Sequence, residues 1–237
     1  MDLAHTKNFL KHYNKDNVVF CYGNCAVVGL VKNLVRSAQA VGMEIIFFAL
    51  DKKASKELGG MCIVVNCFDT SVGEGFYEFG SKDYKHITWH CWLIGDEILK
   101  SGKSYVYIDT DIVVKKNFMN DFQFGGYDCL IQTNGKNCCA GFYAMRPTPR
   151  TTGLFSMKFL EEHDYLHYPH DQEFFNKVIY TSGLLRIKLL DRDEYPNGEY
   201  YYRNHKLIDD ICKIIHFNCI KGYDNKVNKM KELGQWI

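Results

Sequence analysis

The sequence predicts an α/β domain built around a parallel sheet. Apolar runs at residues 18–21, 44–50 and 62–65 alternate with segments of helical spacing, the order that right-handed crossovers between parallel strands require. A fourth apolar run, Ser104-Tyr105-Val106-Tyr107-Ile108, leads without a spacer into Asp109-Thr110-Asp111, and open α/β sheets bind their ligands at the carboxyl ends of such strands. No internal repeat, low-complexity stretch or linker divides the 237 residues, a length that suits one domain.

The first strand, residues 18–21, stops at Gly23-Asn24. Residues 26–41 follow as a helix, because Val27, Leu30, Val31, Leu34, Val35 and Ala38 recur at three- and four-residue steps and Gly42 supplies a left-handed stop. Residues 44–50 form a buried strand, a short helix comes next, and 62–65 form the third strand. Residues 68–80, rich in glycine and aromatics, read as a loop. Residues 84–100 read as one helix closed by Ser101-Gly102. Residues 104–108 are the central strand, and 112–114 read as its continuation past the aspartates. In the second half, 127–133 and 139–145 read as strands joined by a polar turn at Asn134-Gly135. Residues 148–163 and 171–181 read as helices, 184–190 as a strand, and 223–236 as a basic, weakly helical tail.

Composition excludes several classes. The formal net charge is +1 and no long basic run occurs, which argues against nucleic-acid binding. The 15% aromatic content argues against disorder. The longest apolar stretches, 26–30 and 45–50, fall far short of the roughly 20 residues a membrane helix needs, so no transmembrane segment is expected. The start, Met1 to Lys7, lacks the apolar core of a secretory signal, and the expected location is cytoplasmic. Ten cysteines without a C-x-x-C spacing read as reduced, mostly buried thiols.

Asp109 and Asp111 are the leading candidates for chemistry. Two carboxylates one residue apart at a strand end can reach one hard cation, and Mg²⁺ or Mn²⁺ there also contacts phosphates. The bland reading is a solvated turn, but carboxylates next to Tyr-Val-Tyr-Ile cost stability unless they have a partner. His216 ends the short apolar strand Lys213-Ile214-Ile215. A neutral imidazole is a good third ligand, although a buried or capping histidine is the commoner case. Asp171 and Gln172 open a helix, where Asp171 could equally be a cap or dipole partner. Gly102-Lys103-Ser104 lacks the earlier glycine of a phosphate loop, and Gly73-x-Gly75 lacks the third glycine of a dinucleotide fingerprint.

These motifs, in order, resemble the nucleotide-diphospho-sugar transferases of glycosyltransferase family 77 and, more distantly, family 8. The resemblance runs from about Asn17 to Trp236. It is carried by residues 33–51 (NLVRSAQAVGMEIIFFALD), 79–114 (ending YIDTDIVV), 140–147 (AGFYAMRP), 171–176 (DQEFFN), 189–198 (LLDRDEYPNG) and 216–236. It implies a GT-A fold: a single Rossmann-like nucleotide-binding domain with a mixed central sheet flanked by helices, residues 17–133 forming the nucleotide-binding half and 134–237 the acceptor side. It implies transfer of a sugar from a nucleotide-diphosphate donor, a UDP-sugar, to a glycan or glycoconjugate hydroxyl with retention of configuration. It implies Mn²⁺ or Mg²⁺ on Asp109, Asp111 and His216, with Thr110 in the same motif. Tyr22, Gly23 and Asn24 are expected at the nucleotide, Lys221 or Lys226 with Gly222 at the diphosphate, and Asp171 and Gln172 at the reacting sugar. The chain departs from family 8 in carrying Cys139 where an asparagine often precedes Ala-Gly. The missing anchor would suit a bacterial or viral enzyme, or a Golgi-type enzyme trimmed of its anchor. The alternatives are a sugar-phosphate nucleotidyltransferase, disfavoured because Tyr22-Gly23-Asn24-Cys25 has one glycine and no basic residue, and a non-catalytic glycan-binding relative, disfavoured because every candidate site residue is present.

Overall fold

The computed structural model describes residues 1–237, the side chain of Lys82 excepted. In chain order the elements are α1 (Ala4–His12), β1 (Asn17–Gly23), α2 (Val28–Ala40), β2 (Ile46–Ala49), α3 (Lys52–Leu58), β3 (Ile63–Asn66), α4 (Lys82–Thr88), α5 (His90–Lys100), β4 (Ser104–Ile108) and β5 (Ile112–Val114). The second half adds β6 (Cys129–Thr133), β7 (Cys138–Met145), α6 (Met157–Glu162), α7 (Asp171–Phe174), β8 (Ile187–Leu189), α8 (Gly198–Ile208), β9 (Ile214–His216) and α9 (Tyr223–Glu232).

Seven strands form one mixed sheet in the order β3-β2-β1-β4-β7-β6-β8. β3, β2, β1 and β4 run parallel, as the alternating strands and helices demand, whereas β7 is antiparallel to both β4 and β6. Of these, β1, β2 and β4 are buried on both faces, which is why they read as continuous apolar runs, while the edge strand β3 is half-buried. Alternate residues divide them: Val18, Phe20 and Tyr22 face one core with Trp92 and Ile98 of α5, and Val19 and Cys21 face the other with Val31 and Leu34 of α2. Trp92 anchors the first core, its ring stacked near Tyr143, Phe155 and Phe175 at centroid distances of 4.7, 4.2 and 5.4 Å. Gly95 lets α5 approach that closely, since a Cβ there would meet the Tyr105 ring. A third, smaller core joins Leu30 of α2 to β5, β9, α8 and α9.

The structure departs from the sequence reading in specific places. Residues 112–114 do not continue β4. They turn away after Asp109, with Ile112 N donating to Asp109 O, and pair antiparallel with β9 in a separate two-stranded sheet. The predicted helix over 148–163 is reduced to α6. Before it, the Thr148 and Thr151 hydroxyls and backbone form local turns, and Ser156 caps the helix that finally starts. The helix over 84–100 is two helices meeting at Trp89, which is buried. α1 and α8 were not anticipated. After α7 the chain continues as a π-helical segment, Phe175–Tyr180. No helix among the described residues is long and apolar enough to cross a membrane.

All ten cysteines are free thiols, and Cys219, at a positive φ of 65°, is the exposed one. Burial pushes the thiols of Cys62 and Cys67 up to about 11 and about 12, so they are poor nucleophiles at neutral pH. In native protein a disulfide reagent should therefore modify Cys219 first and the half-buried Cys25 and Cys62 more slowly, with the seven buried cysteines reacting only on unfolding. Rapid modification of several cysteines in the native state would contradict the burial described here.

Candidate active site

The carboxyl ends of β1 and β4 open into a cleft of about 220 Å³. Its position follows from the local chain. β1 ends at Gly23, and Asp51, the cap of α3, accepts from Cys25 N (2.6 Å) and Ala54 N (2.7 Å), so one carboxylate ties two strand ends together. Asn24, itself buried, donates to the carbonyls of Gly73 (2.7 Å) and Gly75 (2.8 Å), which brings the 73–77 loop over the cleft.

At the end of β4, Asp109 N donates to Gly141 O (2.8 Å) and the Tyr107 hydroxyl donates to Asp109 Oδ1 (2.5 Å). The turn to β5 carries Asp111 inward. The β5–β9 register sets Ile112 opposite His216, and Phe217 N donates to Asp111 O. His216 Nε2 therefore lies 3.4 Å from Asp109 Oδ2 and 3.3 Å from Asp111 Oδ1, and the three potential ligand atoms fall within 4.8 Å of one another. Gly141 leaves room for them, because a Cβ there would collide with both His216 and Asp109.

A buried glutamine orients the imidazole. Gln132 Nε2 donates to the carbonyls of Tyr195 (3.1 Å) and Pro196 (2.9 Å), so its Oε1 must be the end that meets His216 Nδ1, at 2.8 Å. Nδ1 is then protonated in either charge state of the ring, and Nε2 faces the carboxylates. It is buried and has no hydrogen-bond partner. A buried ring nitrogen aimed at two carboxylates suits the donor set of a divalent-cation site. Burial disfavours imidazolium here, but Asp111 and Asp109 outweigh it and push His216 well above its usual value. A cation arriving at this site exchanges with that second proton.

Asp111 is buried, which opposes its charge, yet Lys226 and His216 hold its carboxyl well below the usual range. Lys226 Nζ is bonded to Asp111 Oδ2 and to Phe217 O (3.2 Å) and lines the cleft. Lys221 is exposed and does not line it, and Gly222, at φ 83°, starts α9. Tyr22, Gly23, Asn24, Thr110, Asp171 and Gln172 all line it. Gln172 Oε1 accepts from Ala140 N (3.1 Å), which leaves its Nε2 as the free end. Burial, and then the charge of Asp109, lift the Asp171 carboxyl to about 7; the Cys91 thiol donates to it at 3.8 Å. Sequence reasoning did not find Gln132, Gly141 or Asn176. Asn176 donates to and accepts from the backbone of Cys138 and so fastens α7 to β7.

A family model described as nucleotide-diphospho-sugar transferase matches residues 43–230. The chain belongs to the nucleotide-diphospho-sugar transferase family. A UDP-galactose:fucoside α-3-galactosyltransferase of Dictyostelium discoideum is 27% identical over 211 residues, covering 71% of this chain and 31% of that protein. A UDP-D-xylose:L-fucose α-1,3-D-xylosyltransferase 1 of Arabidopsis thaliana is 23% identical over 196 residues, covering 69% and 51%. The chain thus spans a third to a half of the length of these curated relatives. Among solved structures, the glycosyltransferase GlyE of Streptococcus pneumoniae superposes with a TM-score of 0.59 at 15% identity, over 94% of this chain and 64% of that one. An active-site mutant of LgtC gives 0.57 at 12%, over 92% and 95%. The mixed seven-stranded sheet is the GT-A fold.

Two outcomes follow from this geometry. Gln132→Leu removes the bond that fixes His216 and should weaken Mn²⁺ binding roughly 10- to 100-fold, as loss of such supporting partners does. Titration of Mn²⁺ followed by electron paramagnetic resonance checks this, and unchanged affinity would refute the orienting role. The second concerns pH. A carboxyl lifted in the folded state keeps a proton that the unfolded chain has released, so Asp171 makes the metal-free protein less stable as pH rises from about 4 to about 7. Asp171→Asn should accordingly raise Tm more at pH 8 than at pH 5, and Asp109→Asn should move the Asp171 titration downward in carbon-detected NMR.

Proposed function

We propose that the protein transfers a galactosyl or xylosyl unit from a UDP-sugar to a fucoside hydroxyl, with retention of configuration and with Mn²⁺ or Mg²⁺ held by Asp109, Asp111 and His216. The sugars and the fucoside come from the named activities of the relatives. The observation that carries the reading is the unpartnered His216 Nε2 facing Asp109 and Asp111 at the end of β4. Two hard carboxylates, one imidazole and the space over Gly141 fit such an ion. When bound it supplies positive charge to the diphosphate leaving group.

The chain's own residues do the rest. Tyr22, Gly23 and Asn24 bind the nucleotide, with Thr110 beside the diphosphate. Lys226, rather than the exposed Lys221, leaves Asp111 to meet the diphosphate as charge develops on it. Gln172 Nε2 donates to a sugar hydroxyl and orients the donor. Asp171, lifted to about 7, is protonated in a large share of molecules near neutrality, which suits a hydrogen-bonding role at the sugar better than attack on it. The acceptor hydroxyl then approaches the anomeric carbon from the face the UDP leaves, and its proton passes to the departing phosphate oxygen. No enzyme-bound sugar is formed, and the donor's α configuration is kept.

The test is incubation with UDP-galactose or UDP-xylose, a methyl fucoside and Mn²⁺. An α-linked product is expected by NMR of the new anomeric proton, with the rate falling by about 10²-fold or more in Asp111→Ala. A β-linked product, or transfer undiminished by a chelator, would overturn the proposal.

A further inference from the structure

The two walls of the cleft differ in chemistry. Val27, Leu30 and Lys226 come from the side of the sheet that carries α2 and α9. Phe79, Tyr84, His170 and Gln172 come from the loop before α4, from α4 and from α7, the side where Ile87 and Phe174 enter the first core. Asp109 lies between the walls. A nucleoside diphosphate held by Lys226, Gly23 and Asn24 lies along the first wall, its sugar reaches across to Gln172, and the rest of the second wall, with Phe79, Tyr84 and His170, is left to the other substrate.

That second wall holds an aromatic surface which folding does not use. Phe79 is 55% exposed although it lines the cleft. Its ring is braced by Tyr84, with centroids 5.2 Å apart and tilted at 57°, and by His170, at 5.3 Å and 43°. His170 caps α7 by accepting from Glu173 N (3.3 Å) through Nδ1. Only a lone pair can accept there, so the proton of the neutral ring sits on Nε2. Burial favours that neutral form by lowering the His170 pKa. An apolar ring face and a directed N–H are thus paired one residue before Asp171 and Gln172. The acidic groups on this side are Asp109 and Asp171 in the cleft and Glu173 beside His170, the last paired with Lys177, so an anionic sugar is disfavoured relative to a neutral one.

We propose that Phe79 and His170 form the subsite for a neutral acceptor pyranoside: the Phe79 ring covers the apolar C–H face of the sugar and His170 Nε2–H donates to one of its hydroxyls. The proposal rests on the transferase reading above and assigns the acceptor's place within it. The chemistry matches a pyranose, which presents C–H bonds on one face and hydroxyls around its edge, as aromatic side chains with one polar neighbour recognise. A 6-deoxy sugar, with a methyl group in place of a hydroxymethyl, adds apolar surface for Phe79.

The test compares transfer with hydrolysis of the same UDP-sugar, using methyl glycosides of fucose, galactose and glucuronic acid as probes. Phe79→Ala should raise the acceptor KM and lower the transfer-to-hydrolysis ratio roughly tenfold, the scale of one lost aromatic contact. Phe79→Trp should restore the ratio, whereas Phe79→Leu, apolar but without a ring, should not. His170→Asn, which can still cap α7, should raise the acceptor KM without the same change in donor KM. Saturation-transfer NMR on the wild-type protein should show the neutral glycosides receiving magnetisation and the glucuronide failing to. A ratio unchanged in Phe79→Ala, full activity in Phe79→Leu, or preference for the glucuronide each overturns the subsite while hydrolysis continues. A wild-type protein that neither binds UDP with Mn²⁺ nor hydrolyses any UDP-sugar overturns the transferase reading itself, and the subsite with it.

Discussion

The antiparallel pairing of β5 with β9 is the contact on which the site depends. β4 delivers Asp109 and Asp111 to the sheet edge, but β4 alone would leave them as a solvated turn. The pairing of Ile112 with His216, extended by Phe217 N on Asp111 O, draws a distant segment of chain across the turn. It brings three groups at once: the His216 imidazole, the Phe217 carbonyl and, one helix later, Lys226. The apolar residues of the two strands then serve a purpose beyond burial. Val113 and Ile215 fill the third core with Tyr201, Phe217 and Met230, so the hydrophobic gain from packing α8 and α9 also holds the charged groups together.

Such an arrangement is costly without compensation, because a buried carboxylate needs partners that stay in place. Asp111 has two cations for this purpose. His216 in turn is fixed by Gln132, whose amide is fixed by two carbonyls of the 195–196 segment. This chain of hydrogen bonds ends on backbone, which cannot rotate to suit another state. The imidazole is therefore preorganised, with Nε2 aimed at the carboxylates before any ion arrives. Lys226 is held differently, by Asp111 and the Phe217 carbonyl rather than by a buried amide, from the first turn of α9.

How much of this was legible follows from range. The parallel half could be read because its elements are local: the 3.6-residue period of α2 and the uninterrupted apolar runs of β1 and β2 each announce themselves within a dozen residues. The aspartate pair could be read from its place at a strand end. The proposed ligand role of His216 rests mainly on resemblance, since the strand before it, Ile214-Ile215, says only that the segment is buried and leaves a capping or core histidine equally open. Residues 112–114 misled because three apolar residues after a central strand look like more of that strand, and only the partner β9 decides otherwise. The 148–163 segment misled because threonine hydroxyls compete for the backbone, which a hydrophobic count does not register. Gln132 and Gly141 sit in strands whose pattern explains them fully as β residues, and their second purpose exists only in three dimensions.

β7 shows how one strand can set several distances. Its residue Gly141 pairs with Asp109 and clears space for His216. One residue earlier, Ala140 N holds Gln172, and two before that, Cys138 is bonded through both backbone groups to Asn176. The carboxylates and the start of α7 are thus referred to the same short stretch of backbone. Because side chains alternate along a strand, a one-residue slip of β7 against β4 would turn its buried residues to the wrong face and move Gly141 off Asp109. The core forbids that slip: Tyr143 belongs with Trp92 on one face and Phe142 with Tyr195 on the other. The spacing between Asp109 and Asp171, on which the raised Asp171 carboxyl depends, is therefore enforced by aromatic packing within the core.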